Sequence, residues 1–248
     1  MNSLLLQGRS ARAEHSRSAI VRKMSILGHV VTRLMKFGLN HILCRVDAPD
    51  INKIPARGPL IIYSNHTGSI EVPVLYAQIY PRPVTGWAKI ESWDSWFLSW
   101  IFGLWEVIPI RRGEADMAAL KKALEVLKKD YIFGLAPEGT RNKTGKLLRA
   151  HPGAVMLAFR SNAPILPIAH WGGEKFLGNL KRLRRTDFSM RAGRPFMLNT
   201  NGERITREQR QQVADEMMYQ LAALLPEEYR GEYSDMSKAT TQFLKFDS

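Results

Sequence analysis

Leu60-Ile61-Ile62-Tyr63-Ser64-Asn65-His66-Thr67-Gly68-Ser69-Ile70-Glu71 is the stretch on which the reading of this chain turns. Its first four residues form a compact apolar run between Pro59 and Ser64, the mark of a buried strand. Gly68 breaks the run. Ser69 is placed to cap a helix that carries Glu71 and Val72, with Pro73 in its first turn. His66 is therefore expected just past the carboxyl end of a strand, where open α/β sheets hold their ligands. An imidazole with a carboxylate in reach is a general base with an orienting partner. The same residues also read, more plainly, as a loop histidine and a helix-capping glutamate. In one regular helix, residues 66 and 71 would point about 140° apart. Their meeting needs a turn at Thr67-Gly68.

The arrangement repeats. Ile132-Phe133-Gly134-Leu135-Ala136 is a second apolar run, and it leads into Pro137-Glu138-Gly139-Thr140-Arg141. Val107-Ile108-Pro109-Ile110 is a third run and ends in Arg111-Arg112-Gly113. Ala163-Pro164-Ile165-Leu166-Pro167-Ile168 is a fourth, whose prolines are expected to shape the strand and its edge. Residues 116–129 are the clearest helix, striped by Met117, Leu120, Leu124 and Leu127. A helix between two such strands argues for parallel pairing with a right-handed crossover. A shorter helix is expected over 153–159, and an outer strand over 188–192, ended by Gly193 and Pro195. Thr206 with Gln209 forms a capping box. The helix it opens is striped by Val213, Met217, Leu221 and Leu224 and stopped by Pro226. The fold class is α/β: a single domain with a largely parallel or mixed sheet flanked by helices, plus an N-terminal amphipathic helical segment.

The chain has 248 residues, long enough for a proper core. Its net charge of +13 implies a polyanionic partner: nucleic acid, an anionic membrane or phosphorylated substrates. Cys44 is the lone cysteine, which excludes an intrachain disulfide and a cysteine-rich metal site. No histidine–carboxylate cluster has ligand spacing, so no metal is expected. No stretch reaches the roughly 18 uncharged apolar residues of a spanning helix. The nearest runs from Trp93 to Ile110. Its tryptophans (Trp93, Trp96, Trp100, Trp105) suit either a core helix or a membrane interface.

Residues 1–23 read as a basic flexible arm, which makes Met24 a candidate start. Residues 24–45 read as amphipathic helices. Ile26, Leu27, Val30, Val31, Leu34, Met35 and Leu39 recur at helical spacing, with His29, Arg33 and Lys36 between them. Such a helix packs on a domain or lies in a membrane interface. Ile42 and Leu43 can begin a second short helix. Lys181-Arg182-Leu183-Arg184-Arg185 is a further basic run, suited to lipid headgroups or to water.

Together the four runs resemble the PlsC-type glycerolipid acyltransferases, which include the 1-acylglycerol-3-phosphate acyltransferases. That family's N-H-x-x-x-x-D block matches Asn65, His66 and, with a change, Glu71. Its strand ending in arginine matches Val107 to Gly113. Its F-P-E-G-T-R block matches Ala136 to Arg141, with alanine where phenylalanine is usual. Its proline-bearing strand matches Ala163 to Ile168. The resemblance covers roughly residues 55–169 and makes residues 46–248 an acyltransferase domain.

It implies transfer of a fatty acyl group from a thioester to the free hydroxyl of 1-acylglycerol-3-phosphate, giving phosphatidic acid. A related lysolipid, amino-acid lipid or glycolipid is the alternative acceptor. The donor is acyl-CoA or acyl carrier protein, and no cofactor is implied. A hydroxyl attacks well only as a base removes its proton, and a neutral imidazole is available near pH 7. His66 and Glu71 are the catalytic candidates. Arg111, Arg112, Glu138, Gly139, Thr140 and Arg141 are the substrate-binding ones, with the arginines suited to phosphate by their planar fork. Glu138 is expected to orient an arginine or to accept a glycerol hydroxyl. The expected place is the cytoplasmic face of an anionic membrane, peripheral or monotopic. Nucleic acid is not expected as a partner, since neither zinc-finger spacing nor an aromatic RNA-binding signature is present.

Overall fold

The computed structural model of the protein describes residues 28–111, 116–199 and 205–246. The basic arm over 1–23 and Arg112 lie outside the described residues. Among the described residues, nine strands form one sheet: β1 (Cys44–Asp47), β2 (Leu60–Ser64), β3 (Val84–Lys89), β4 (Ile108–Ile110), β5 (Ile132–Leu135), β6 (Ile165–Trp171), β7 (Thr186–Ala192), β8 (Phe196–Leu198) and β9 (Leu244–Phe246). The order is β1-β7-β6-β2-β5-β3-β4, with β8 pairing β6 and β9 pairing β8. Strands β2 to β6 run parallel, while β7 and β8 run antiparallel to β6. The expected mixed α/β domain is thus observed.

The sequence of β2 explains its central place. Every residue of Leu60–Ser64 is buried, as a parallel strand covered on both faces requires. Alternation sends Ile61 and Tyr63 to one core, with Phe133, Ile165 and Met217. Leu60 and Ile62 go to the other, with Val74, Leu166 and Ile168. The first core is closed by α4 (Met117–Leu127), α5 (Met156–Ser161) and α7 (Arg207–Ala222). The second is closed by α2 (Glu71–Ile79), by the first residue of α6 (Phe176–Lys181) and by the π-turn Gly38–Leu43 that follows α1 (residues 28–37). The capping box at Thr206 and Gln209 opens α7 as its sequence predicts.

Several expectations are corrected. Ser69 does not cap α2; Ile70 is the N-cap and gives no side-chain cap. α4 buries Ala119, Leu120, Ala123 and Leu127, while Met117 is exposed. Small residues let that helix lie closer to the sheet than a leucine stripe would. β6 is interior, not an edge. It pairs β7 from Ile168 onward and β8 at Ile165, and Pro167 falls between the two. A residue without an N–H is tolerated at such a break. β7 is likewise not outermost, because β1 lies beyond it. The second short helix at Ile42 and Leu43 is the π-turn. Among the described residues, no helix, including the apolar α3 (Trp96–Leu104), is long and apolar enough to cross a membrane.

The turn after β6 depends on Gly172, whose φ is 90°. A Cβ there would overlap the carbonyl oxygen of Asp187. Gly172→Ala is expected to cost at least about 2 kcal/mol through left-handed strain and displacement of the β7 backbone. A urea titration reads this as a lower midpoint at unchanged slope.

Candidate active site

The backbone ladder of β2 ends at Ser64, and Asn65 replaces it with its side chain. Asn65 Nδ2 donates to the His170 carbonyl at 2.8 Å, and the His170 amide donates to Asn65 Oδ1 at 3.0 Å. A carboxamide presents one donor and one acceptor side by side, so it can stand in for a peptide group. His170 Nε2 donates to the Asn65 carbonyl at 2.7 Å. A carbonyl only accepts, so that nitrogen carries the proton. Burial lowers the His170 pKa and favours the neutral ring. This three-bond clamp frees the next residue, His66, to leave the sheet at its carboxyl edge.

Residues 67–70 then turn without helical structure before α2 begins. The turn brings Glu71 back to His66: Nδ1 meets Glu71 Oε1 at 2.7 Å. The same oxygen accepts from the Gly68 amide at 2.7 Å. The glutamate's extra methylene lets it reach both donors from the first position of the helix. Glu71 is only 2% exposed. Burial opposes its charge. The hydrogen bond from His66, the fields of the His170 and His66 rings and the Gly68 amide outweigh burial and hold the carboxyl at about 2. A carboxylate at Nδ1 requires the proton on that nitrogen, which leaves the lone pair on Nε2. Arg141 Nε donates to that lone pair at 3.3 Å.

Glu138 lies on the other side of His66, also 2% exposed. Its Oε1 accepts the His66 amide at 2.9 Å, and its Oε2 accepts the Leu148 amide at 3.0 Å. Both oxygens therefore brace backbone, and no hydrogen bond joins Glu138 to an arginine among the described residues. Burial pushes this carboxyl up to about 7, aided by the charge of Glu71 and opposed by the two amides. The His66 carbonyl accepts from the Asn142 amide at 2.9 Å, so both peptide groups flanking His66 are tied to the loop after β5.

The other expected residues are spread along the same edge. Gly139 has φ 65°, and a Cβ there would come within 3.0 Å of the His151 ring. Thr140 is exposed beside Arg141. Arg111 is exposed just past β4, where Asp116 Oδ2 accepts its amide at 3.2 Å. β4 stands three strands from β2, roughly 14 Å by strand spacing. The structure thus brings together His66, Glu71, Glu138 and Arg141 and leaves Arg111 at a distance. Sequence reasoning missed His170. Its one available signal was a polar residue near the carboxyl end of an apolar strand, the same setting as His66.

The Acyltransferase family model matches residues 45–171 of the chain, which contain all of these side chains. The chain is 26% identical over 151 residues to the 1-acyl-sn-glycerol-3-phosphate acyltransferase alpha of Homo sapiens, covering 60% of this chain and 53% of that one. It is 28% identical over 119 residues to the 1-acyl-sn-glycerol-3-phosphate acyltransferase of Bacillus subtilis, covering 48% and 59%. It is 29% identical over 133 residues to that of Pseudomonas aeruginosa, covering 52% and 51%. The chain therefore matches about half the length of these curated relatives. In fold it resembles the crystal structure of the 1-acyl-sn-glycerophosphate acyltransferase PlsC from Thermotoga maritima, with a TM-score of 0.56 at 21% identity, over 82% of this chain and 78% of that one.

The two buried carboxyls give opposite pH signatures. Glu71 is depressed, so its stabilisation is present above the ordinary carboxyl value of 4.5 and is lost as pH falls toward about 2. Glu138 is raised, so its contribution is present below 4.5 and is lost as pH rises through about 7. Measured by denaturation against pH, the stability advantage of the parent over Glu71→Gln should shrink as the solution is acidified. The advantage over Glu138→Gln should shrink as it is made neutral. Either slope is bounded by about 1.4 kcal/mol per pH unit for one proton.

Proposed function

Because the chain belongs to the Acyltransferase family, we propose that it is an O-acyltransferase moving a fatty acyl group from an acyl thioester to the free hydroxyl of 1-acylglycerol-3-phosphate. The observation that carries this reading is the His66 ring, held through Nδ1 by Glu71 with its Nε2 lone pair turned toward Arg141. That is the geometry of a base waiting for an external hydroxyl. The acceptor hydroxyl gives its proton to Nε2 as its oxygen attacks the thioester carbonyl carbon. The tetrahedral adduct collapses with cleavage of its C–S bond, and the leaving thiolate takes the proton back from the imidazolium, which Glu71 stabilises in between. No acyl-enzyme is needed.

Arg141 links acceptor to base. In the free protein its Nε–H occupies the lone pair. A phosphate draws the guanidinium into a charge-assisted, two-oxygen contact and leaves Nε2 to the hydroxyl. Glu138 and Asn65 act as positioning residues for the His66 backbone. Gly139 and Thr140 line the approach, and Arg111 offers a further cation on the rim; Arg112, outside the described residues, stays a candidate phosphate contact on its sequence alone. The names of the relatives support the lysophosphatidate acceptor; acyl-CoA or acyl carrier protein as donor is what the resemblance implies. The domain would span residues 46–248, with 24–45 holding it to the cytoplasmic face of an anionic membrane, peripheral or monotopic.

Steady-state assay of a purified panel, with one acyl thioester and phosphorylated or phosphate-free lysolipids, tests the assignment. His66→Ala should lower turnover roughly 10²- to 10⁴-fold. Glu71→Gln should approach that loss, whereas Glu71→Asp keeps the charge and measurable activity. The double variant His66→Ala/Glu71→Gln should be little worse than His66→Ala, as groups acting as one unit are non-additive. Near-normal turnover of His66→Ala would remove the base.

Arg141→Ala should weaken a phosphorylated acceptor roughly ten- to a hundredfold and leave a phosphate-free one nearly unchanged. Equal losses on both acceptors would assign Arg141 to structure or to the donor.

A further inference from the structure

α6 and the turn after it make a feature the proposed chemistry does not use. Phe176 packs into the core beneath the helix. Leu177, Leu180 and Leu183 follow at three-residue spacing and face solvent, with Leu183 95% exposed at the tip. Lys181, Arg182 and Arg184 stand among them in sequence, all exposed. None of these three cations has an ion pair or side-chain hydrogen bond among the described residues.

The tip is built rather than loose. The amides of Arg182 and Arg184 both donate to the Asn179 carbonyl at 2.9 Å, and the Leu183 amide donates to Leu180 at 3.0 Å. Asn179 Nδ2 also reaches Thr186 Oγ1 at 3.2 Å. Leu183 itself is held at φ 52°, an uncommon conformation for a leucine. The fold thus accepts strain to hold an apolar side chain out in water between the exposed cations that neighbour it in sequence.

Its position follows from strand register. Trp171 of β6 pairs with Ser189 of β7, so Thr186 lies three residues beyond the carboxyl end of β6. Cys44 pairs with Thr186. The knob before Thr186 and the π-turn before Cys44 therefore project from the sheet edge that carries His66. Arg185 joins the two: its Nη2 donates to the Asn40 carbonyl at 2.7 Å and to the Cys44 carbonyl at 2.6 Å. Phe37 and Ile42 are exposed on that neighbouring segment.

We propose that the α6 knob is a docking surface for an anionic lipid bilayer, seating Leu183 among the headgroups and presenting the His66 edge to the membrane. Charge selects this occupant: unpaired cations around an apolar tip match negative headgroups over an acyl boundary. The chain's own arm over residues 1–23 is basic and is repelled by the same cations. A single weak anchor gives only marginal membrane binding, so the knob acts as the second signal beside the amphipathic segment. The inference deepens the reading of the chain as an enzyme of lipid substrates and rests on it for the bilayer as partner.

The full chain is sedimented with vesicles of phosphatidylcholine alone and of phosphatidylcholine with phosphatidylglycerol. Leu183→Glu should reduce partition onto the anionic vesicles by at least about tenfold. Arg182→Ala/Arg184→Ala should reduce it about fivefold per cation and leave the neutral vesicles unaffected. Both variants should melt like the parent and turn over short-chain, water-soluble substrates at the parent's rate. Unchanged partition of both variants would overturn the proposal. So would a loss confined to turnover from acyl carrier protein with vesicle binding intact, which assigns the knob to an acidic donor carrier. Partition that depends on Leu183 in a chain without thioester turnover would sustain the docking surface and sink the acyltransferase assignment.

Discussion

The bond pair between the Asn65 side chain and the His170 backbone is the constraint on which the site depends. A parallel strand must end somewhere, and the peptide groups of its neighbour that run on past that end, here those of His170 in β6, need partners that water cannot supply in a buried edge. Asn65 supplies them from its side chain. The main chain can then turn away at His66 without breaking the tie between β2 and β6. His170 returns a third bond from its ring to the Asn65 carbonyl. Without this clamp, the residues on either side of His66 would be set by a mobile loop. With it, the imidazole is fixed from behind by a sheet, from below by Glu71 and from the side by the amide that Glu138 accepts.

Two carboxyls within one small site have their proton affinities pushed in opposite directions by their surroundings. Glu71 faces proton-bearing nitrogens and stays ionised at about 2. Glu138 faces two amides in a dry place near another negative charge and rises to about 7. Divergent environments of this kind separate roles among like residues. Here they separate the carboxyl that touches the imidazole from the one that shapes the backbone beneath it. The family's aspartate is replaced by a glutamate, which reaches both the His66 ring and the Gly68 amide across the turn of residues 67–70.

The surplus of basic residues gains meaning from topology. Arg141, the α6 knob and the π-turn all project from the carboxyl edge of the parallel strands. A phosphorylated, membrane-dissolved acceptor would approach that edge. Under the proposed function the cations on that edge would face both substrate and surface, whereas cations elsewhere, Lys121 and Lys122 of α4 among them, serve solubility.

The sequence by itself determined the periodic elements and the order of the motifs. β2, β5, α4 and the capping box of α7 were legible because apolar period and cap chemistry are local. His66, Glu71 and Arg141 stood out because polar residues just past buried strands have few structural reasons to be there. Only the tertiary structure decided which of them meet. It put Arg141 on the His66 ring and Arg111 three strands away, although the sequence presents both alike as arginines after strands. It made Glu138 a backbone brace, because a carboxylate's partners depend on which amides the packing leaves open. It placed Pro167 inside the sheet, since edge or interior is fixed by the strands that later come to pair with β6. It revealed His170, whose partner lies 105 residues away and so leaves no periodic trace in the chain.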